Sequence, residues 1–184
     1  MARLYLVRHG EPEGTWADSH DPGLSAKGRE QAQVTADRLR LLQPKQIVTS
    51  PLRRASETSL ALSLALQLQP IVAKEVSEIP TPENMSLEHR GDWLRAIMVR
   101  NWSQTDPGLR AWRDNVVAYL TRLQVDTAVY SHFVAINVAL GASIGDDRVT
   151  CFRAAHASVT VLETNGRAIS LVEPGETAAE TAVR

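Results

Sequence analysis

Three short stretches hold the residue types that bind anions and move protons: Arg8-His9-Gly10, Ser50 to Arg54 in "SPLRR", and Ser131-His132. Each follows an apolar run, so each falls where a strand gives way to a helix. Ligands of open α/β sheets bind in the crevice beyond the carboxyl ends of the strands. Helix N-termini add partial positive charge and free N–H groups there. Two Arg-bearing and two His-bearing junctions meeting at that end form a compact anion receptor. Phosphate suits it best, because planar guanidinium forks pair bidentately with phosphate oxygens.

The surrounding pattern supplies the elements needed to position them. Leu4 to Val7 reads as a strand covered on both faces. Leu24, Gly28, Ala32, Ala36 and Leu39 recur at helical spacing up to Pro44. "QIVTS" predicts a second strand, and a helix follows with Ser50 as N-cap, Pro51 at its first position and Leu52, Ala55, Ser59, Leu62 and Leu66 turned inward. "PIVA" predicts a third strand, "DTAVYS" a fourth, and "HFVAINVALGA" a helix apolar nearly all round. "SVTVLETNGRAISLV" reads as two strands about an Asn165-Gly166 turn. Strands alternating with helices predict a three-layer α/β/α sandwich with a mostly parallel central sheet. One domain is expected over residues 1–172, with a small helical cap at about 80–113 and a flexible tail at 173–184.

Composition narrows the function classes. With 184 residues, 43% apolar and 22% charged, the chain suits one well-buried domain. A net charge of −1 provides no basic field for a nucleic-acid backbone or an anionic membrane. Neither partner is expected. Cys151 is the one cysteine, which excludes an internal disulfide framework and suits a reducing compartment. No segment approaches the roughly 20 apolar residues that cross a bilayer, so a cytoplasmic location is expected. No HExxH pair, clustered carboxylate loop or Walker-type Gly-Lys-Ser/Thr occurs in the sequence, so a metal-independent reaction without a cofactor is expected.

Read in order, "LVRHGE", "LSAKGREQA", "SPLRRASET" and "VYSH" resemble the histidine phosphatase superfamily, which includes phosphoglycerate mutases, acid phosphatases and fructose-2,6-bisphosphatases. The resemblance implies that His9 attacks phosphorus and becomes phosphohistidine, while Arg8, Arg54 and His132 hold the phosphoryl oxygens. Arg54 takes this role because it directly precedes Ala55; Arg53 is then a surface charge or one behind the phosphate contacts. The physics agrees. Neighbouring cations favour the neutral imidazole, which keeps a lone pair for attack. Fixed positive groups stabilise the charge that spreads over the phosphoryl oxygens in the transition state.

The leaving oxygen needs a proton, and Glu75, Glu78, Glu83 and Glu88 follow the third strand. Family members carry a Leu-x-Glu-like acid just there, and "VSEI" matches it through Glu78. Glu11 is the second choice. The sequence departs from the family after Glu78, where "PTPENMS" replaces a Gly-x-Trp-Glu-Gly element. Phe133 stands where many relatives have Gly, and Trp16-Ala17 where mutases carry Trp-Asn. His156 reads as a packing or capping residue at a strand start, His20 as a turn residue and His89 as one on a polar helix face. Trp93, Trp102 and Trp112 are expected to pack on the sheet, with Arg90, Arg95 and Arg100 facing solvent; the sharper alternative is a cap that selects the substrate. The leading expectation is a phosphatase for small phosphomonoesters that also binds inorganic phosphate. A phosphoglycerate mutase-type transferase and a catalytically silent phosphate-binding scaffold are the alternatives.

Overall fold

The computed structural model describes residues 1–14, 21–83 and 85–178. Strand β1 (Ala2–Arg8) sends Leu4 and Leu6 into one core and Tyr5 and Val7 into the other, as the two-residue period of a doubly covered strand requires. The same alternation runs through β2 (Gln46–Thr49) and β4 (Thr127–Ser131): Val48 and Val129 face one core, Ile47, Ala128 and Tyr130 the other. With β3 (Ile71–Val72), β5 (Val159–Thr164) and β6 (Ile169–Glu173), they build a six-stranded sheet in the order β3-β2-β4-β1-β5-β6. The first four in that order are parallel, and β5 and β6 are antiparallel to their neighbours.

Helices α1 (Ala26–Leu42) and α2 (Arg53–Leu66) cover one face through Ala36, Leu39 and Leu62. Helices α3 (Leu87–Met98), α4 (Pro107–Thr121) and α5 (Phe133–Ile144) cover the other, burying Leu94, Val116 and Ile136 among their core residues. The result is the three-layer sandwich with a mostly parallel sheet. None of these helices is long and apolar enough to cross a membrane.

Local chemistry sets the boundaries. The Ser25 side chain accepts from the Gly28 N–H at the start of α1, and Gln43 leaves the helix in the left-handed region just before Pro44. Gly28 is also needed for packing: a Cβ there would lie 2.1 Å from the Glu11 carbonyl oxygen, and one on Gly10 would lie 2.5 Å from that of Gly28. Helix α2 starts later than expected. Its N-cap is Leu52, because Ser50 is still extended, its N–H bonded to the Tyr130 carbonyl at the end of the β2–β4 ladder.

Two other boundaries differ. The expected cap edge at residue 113 falls inside α4, whose buried Leu109, Val116 and Leu120 form one continuous stripe on the sandwich. Of the expected flexible tail, Glu173 ends β6, and the residues after it are tied to the loop before β5. Thr177 bridges Ala154, the Glu176 carbonyl accepts from the Ala155 N–H at 2.9 Å, and the Ala178 N–H donates to Arg153 at 2.8 Å. These partners lie far away in sequence, so the polar composition of residues 173–178 did not reveal them.

Candidate active site

Because β4 lies between β2 and β1, the carboxyl ends of three parallel strands are neighbours. Arg8 pairs with Ser131, and Thr49 with Tyr130. The three junctions therefore converge, and the rings of His9 and His132 lie 5.2 Å apart between centroids.

His9 is 2% exposed. Its Nδ1 is 2.8 Å from the Gly10 carbonyl oxygen, which can only accept, so Nδ1 carries the proton and Nε2 keeps its lone pair. Arg54 Nε donates to that Nε2 at 3.3 Å. The turn is fixed from below: the Gly10 N–H donates to Thr58 Oγ1, whose hydroxyl donates to the Arg54 carbonyl. Burial, then the charges of His132, Arg54 and Arg8, hold the His9 pKa well below the usual imidazole value. His132 Nε2 is 2.8 Å from Ser50 Oγ, which accepts from the Leu52 N–H. His132 Nδ1 is buried with no partner among the described residues, and it carries the ring proton in the tautomer whose Nε2 accepts from the Ser50 hydroxyl. Burial, together with the guanidinium charges, also holds the His132 pKa well down.

Arg54 is buried; its NH1 lies 3.9 Å from Asp21, and burial lowers its pKa against the opposing pull of Glu78 and Asp21. Arg8 donates through NH1 to the Ala154 carbonyl at 2.7 Å, and its NH2 lies 3.0 Å from His156 Nε2. The Phe133 ring sits 5.1 Å below the guanidinium carbon, within cation–π range. Burial lowers the Arg8 pKa to about 10.

Glu78 is 6% exposed and reaches the same cleft. The Ser131 hydroxyl donates to the Val76 carbonyl at 2.7 Å and ties the preceding turn to the end of β4. The Ile79 and Val134 N–H groups donate to Glu78 Oε1 at 3.0 and 3.2 Å. Its Oε2 is buried with no partner among the described residues. Burial outweighs these donors and the Arg54 and Arg8 charges, so the Glu78 pKa is raised. The other glutamates considered as the acid are elsewhere. Glu11 accepts from Ser25 and Lys27 at the start of α1, Glu75 lies in the 74–76 turn beside Tyr119, and Glu83 and Glu88 are exposed.

The structure also brings in residues that the sequence did not assign. Arg90, on the first turn of α3, is half-buried and close enough for its charge to act on Glu78, Arg54 and His132 rather than facing solvent. Ser50 contacts His132 instead of capping α2. His156 lies 5.7 Å from His9 between ring centroids. The antiparallel β1–β5 pairing is the signal that could have located it: the residues preceding β5 must lie where β1 ends. Arg53 is exposed and pairs with Glu57. Trp102 is fully buried and lies 6.1 Å from Trp112, while Trp93 packs at the core margin. Arg95 and Arg100 are exposed, and His89 is an exposed partner of Ser86. Trp16, Ala17 and His20 lie outside the described residues.

Comparison with known proteins places this geometry in context. The chain is 33% identical over 120 residues to a glucosyl-3-phosphoglycerate phosphatase of Mycolicibacterium vanbaalenii, a match covering 62% of this chain and 49% of that protein. It is 36% identical over 83 residues to phosphoserine phosphatase 1 of Hydrogenobacter thermophilus, covering 43% of this chain and 39% of that one. The chain thus spans about half or less of these curated relatives. The solved structure of a mycobacterial glucosyl-3-phosphoglycerate phosphatase with inorganic phosphate superposes with a TM-score of 0.74 at 22% identity, covering 96% of this chain and 98% of the other. At that identity the likeness is one of fold. The model of the histidine phosphatase superfamily, branch 1, matches residues 4–177, and it is to this superfamily that the chain belongs.

Proposed function

We propose that the chain is a metal-independent phosphomonoesterase working through phosphohistidine on His9. The observation that carries this reading is the tautomer imposed on His9: the Gly10 carbonyl accepts a hydrogen bond from Nδ1–H and leaves Nε2 as a nucleophile, beside Arg54. In the first step His9 Nε2 attacks phosphorus, the P–O ester bond breaks, and protonated Glu78 gives its proton to the departing oxygen. In the second, the Glu78 carboxylate takes a proton from water, the resulting hydroxide attacks phosphorus, and the P–N bond breaks to release phosphate and restore His9. Arg8, Arg54 and the Nδ1–H of His132 hold the phosphoryl oxygens, and Arg90 adds positive charge at the cap side of the cleft. Fixed cations of this kind supply the electrostatic stabilisation that phosphoryl transfer requires.

The substrate class is small phosphomonoesters; the relatives with phosphatase names support it. A cytoplasmic setting suits the half-buried Cys151 thiol. Purified protein with a generic aryl phosphate and a chelator should release phosphate steadily. His9→Ala should abolish turnover, and acid-labile, base-stable phosphate should appear on the wild-type protein during turnover. Chelator-sensitive activity, or turnover that survives His9→Ala, would sink this reading.

A further inference from the structure

His156 has no part in the reaction sequence above, yet the fold holds it firmly against the site. Ala157 occupies the left-handed region with φ 57°, an uncommon conformation for a residue with a Cβ. Its N–H donates to the Arg8 carbonyl at 3.0 Å, and its carbonyl accepts from Thr35 Oγ1 of α1 at 2.7 Å. This backbone kink, held from two elements, sets the imidazole between Arg8 and His9. A guanidinium can only donate, so a nitrogen 3.0 Å from Arg8 NH2 must be an acceptor, and His156 must carry its proton on Nδ1.

We propose that neutral His156 is a positioning residue for Arg8: its Nε2 lone pair, the Ala154 carbonyl and the Phe133 face together lock the guanidinium so that its remaining N–H groups point to one phosphoryl group. Those groups include the buried Nε–H, which has no partner among the described residues. Two outer donors are anchored by protein acceptors, one aromatic face fixes the plane, and the inner edge is left for the substrate. A guanidinium fixed before substrate arrives need not be reoriented during the reaction, which is how preorganised donors gain their effect. The nearby Glu11, Lys27 and Arg8 charges set the electrostatic surroundings of His156, and burial followed by Arg8 keeps its pKa down at about 4, so the acceptor form persists at neutral pH. The inference rests on the phosphatase reading only for its link to turnover; the Arg8 lock itself is a property of the free protein.

The test compares His156→Phe, which removes the acceptor but keeps a ring, with His156→Gln, whose amide oxygen reaches the place of Nε2. Inorganic phosphate affinity is measured by calorimetry and kcat/KM with an aryl phosphate, alongside thermal melting. Loss of a hydrogen bond to a charged group predicts a drop of about tenfold or more for His156→Phe in both quantities, with most of it recovered in His156→Gln. Nitrogen NMR of the wild-type protein at neutral pH should show the His156 ring protonated at Nδ1 and bare at Nε2. A Nε2–H tautomer, a His156→Phe protein within twofold of wild type, or a folded His156→Gln protein as weak as His156→Phe would each overturn the proposal. If His156→Phe does not fold, the wild-type tautomer and the His156→Gln affinity decide. Should wild-type protein show no turnover while phosphate affinity falls and recovers across the two variants, the phosphatase reading fails and the positioning role stands.

Discussion

A carboxylic acid is useful to a departing oxygen only while it holds its proton, and burial of Glu78 favours that form despite two guanidinium groups nearby. Glu78→Gln keeps the shape and removes the proton donor. Its kcat should fall by about 100-fold or more on an alkyl phosphate, the scale of general acid catalysis, and far less on a nitrophenyl ester, whose oxygen leaves unaided. Equal losses on both esters would assign Glu78 to binding instead. Local reading singled out His9, Arg8 and His132 as candidates, whereas the choice of Arg54 over Arg53 and of Glu78 over Glu75, Glu83 and Glu88 came from the resemblance to the superfamily. His156 and Arg90 were not legible, because a lone His before a strand and an Arg on a polar helix look the same whether or not a site lies beside them. Phe133 looked like a defect in the pattern, yet its ring supports Arg8.

The loop after β1 and the first turn of α1 touch backbone to backbone at Gly10 and Gly28. The short "LSAKGREQA" motif thus has a packing reason apart from any chemistry: α1 must come close enough for the Glu11 carbonyl to meet the Ser25 N–H at 2.9 Å. Gly28→Ala would drive a methyl into the Glu11 carbonyl, and since no flexible side chain can yield there, the loop carrying His9 must move. Overpacking of this kind costs about 1–3 kcal/mol. A lower melting temperature together with a lower kcat is expected, and an unchanged crystal structure of the variant around His9 would refute the coupling. Helical spacing located α1 and its stripe. The start of α2 was misplaced because Ser50 satisfies the usual N-cap signal, whereas its N–H is committed to Tyr130 across the sheet.

At the scale of the molecule, the site gathers cations in a protein whose net charge is −1, so anion binding should feed back on stability. His9, His132 and His156 resist protonation in the fold. Below their unfolded pKa of about 6.5 the unfolded chain takes up more protons, so stability falls as pH drops, by about 1.4 kcal/mol per unit for each until its folded pKa is reached. Glu78 acts in the opposite sense: its raised pKa contributes stability that is present at the acid end and fades as pH rises from about 4.5. With three histidines opposing one carboxyl, the ligand-free melting temperature should fall between pH 7 and pH 5; a flat profile would mean the histidines are not held neutral. Inorganic phosphate at 100 times its dissociation constant should add about 2.7 kcal/mol, and no upward shift with phosphate would argue against an anion site.

The sequence alone determined the layers, the strands and the junctions where candidate reactive side chains gather, because hydrophobic period and residue chemistry are local properties carried by neighbours in the chain; the resemblance to the superfamily, not local chemistry, chose among them. Only the tertiary structure decided which junctions meet, since strand order is a choice among pairings: β4 between β1 and β2 brings His132 to His9, and antiparallel β5 returns His156 to the end of β1. It also decided protonation, which depends on burial and on charges contributed from distant parts of the chain.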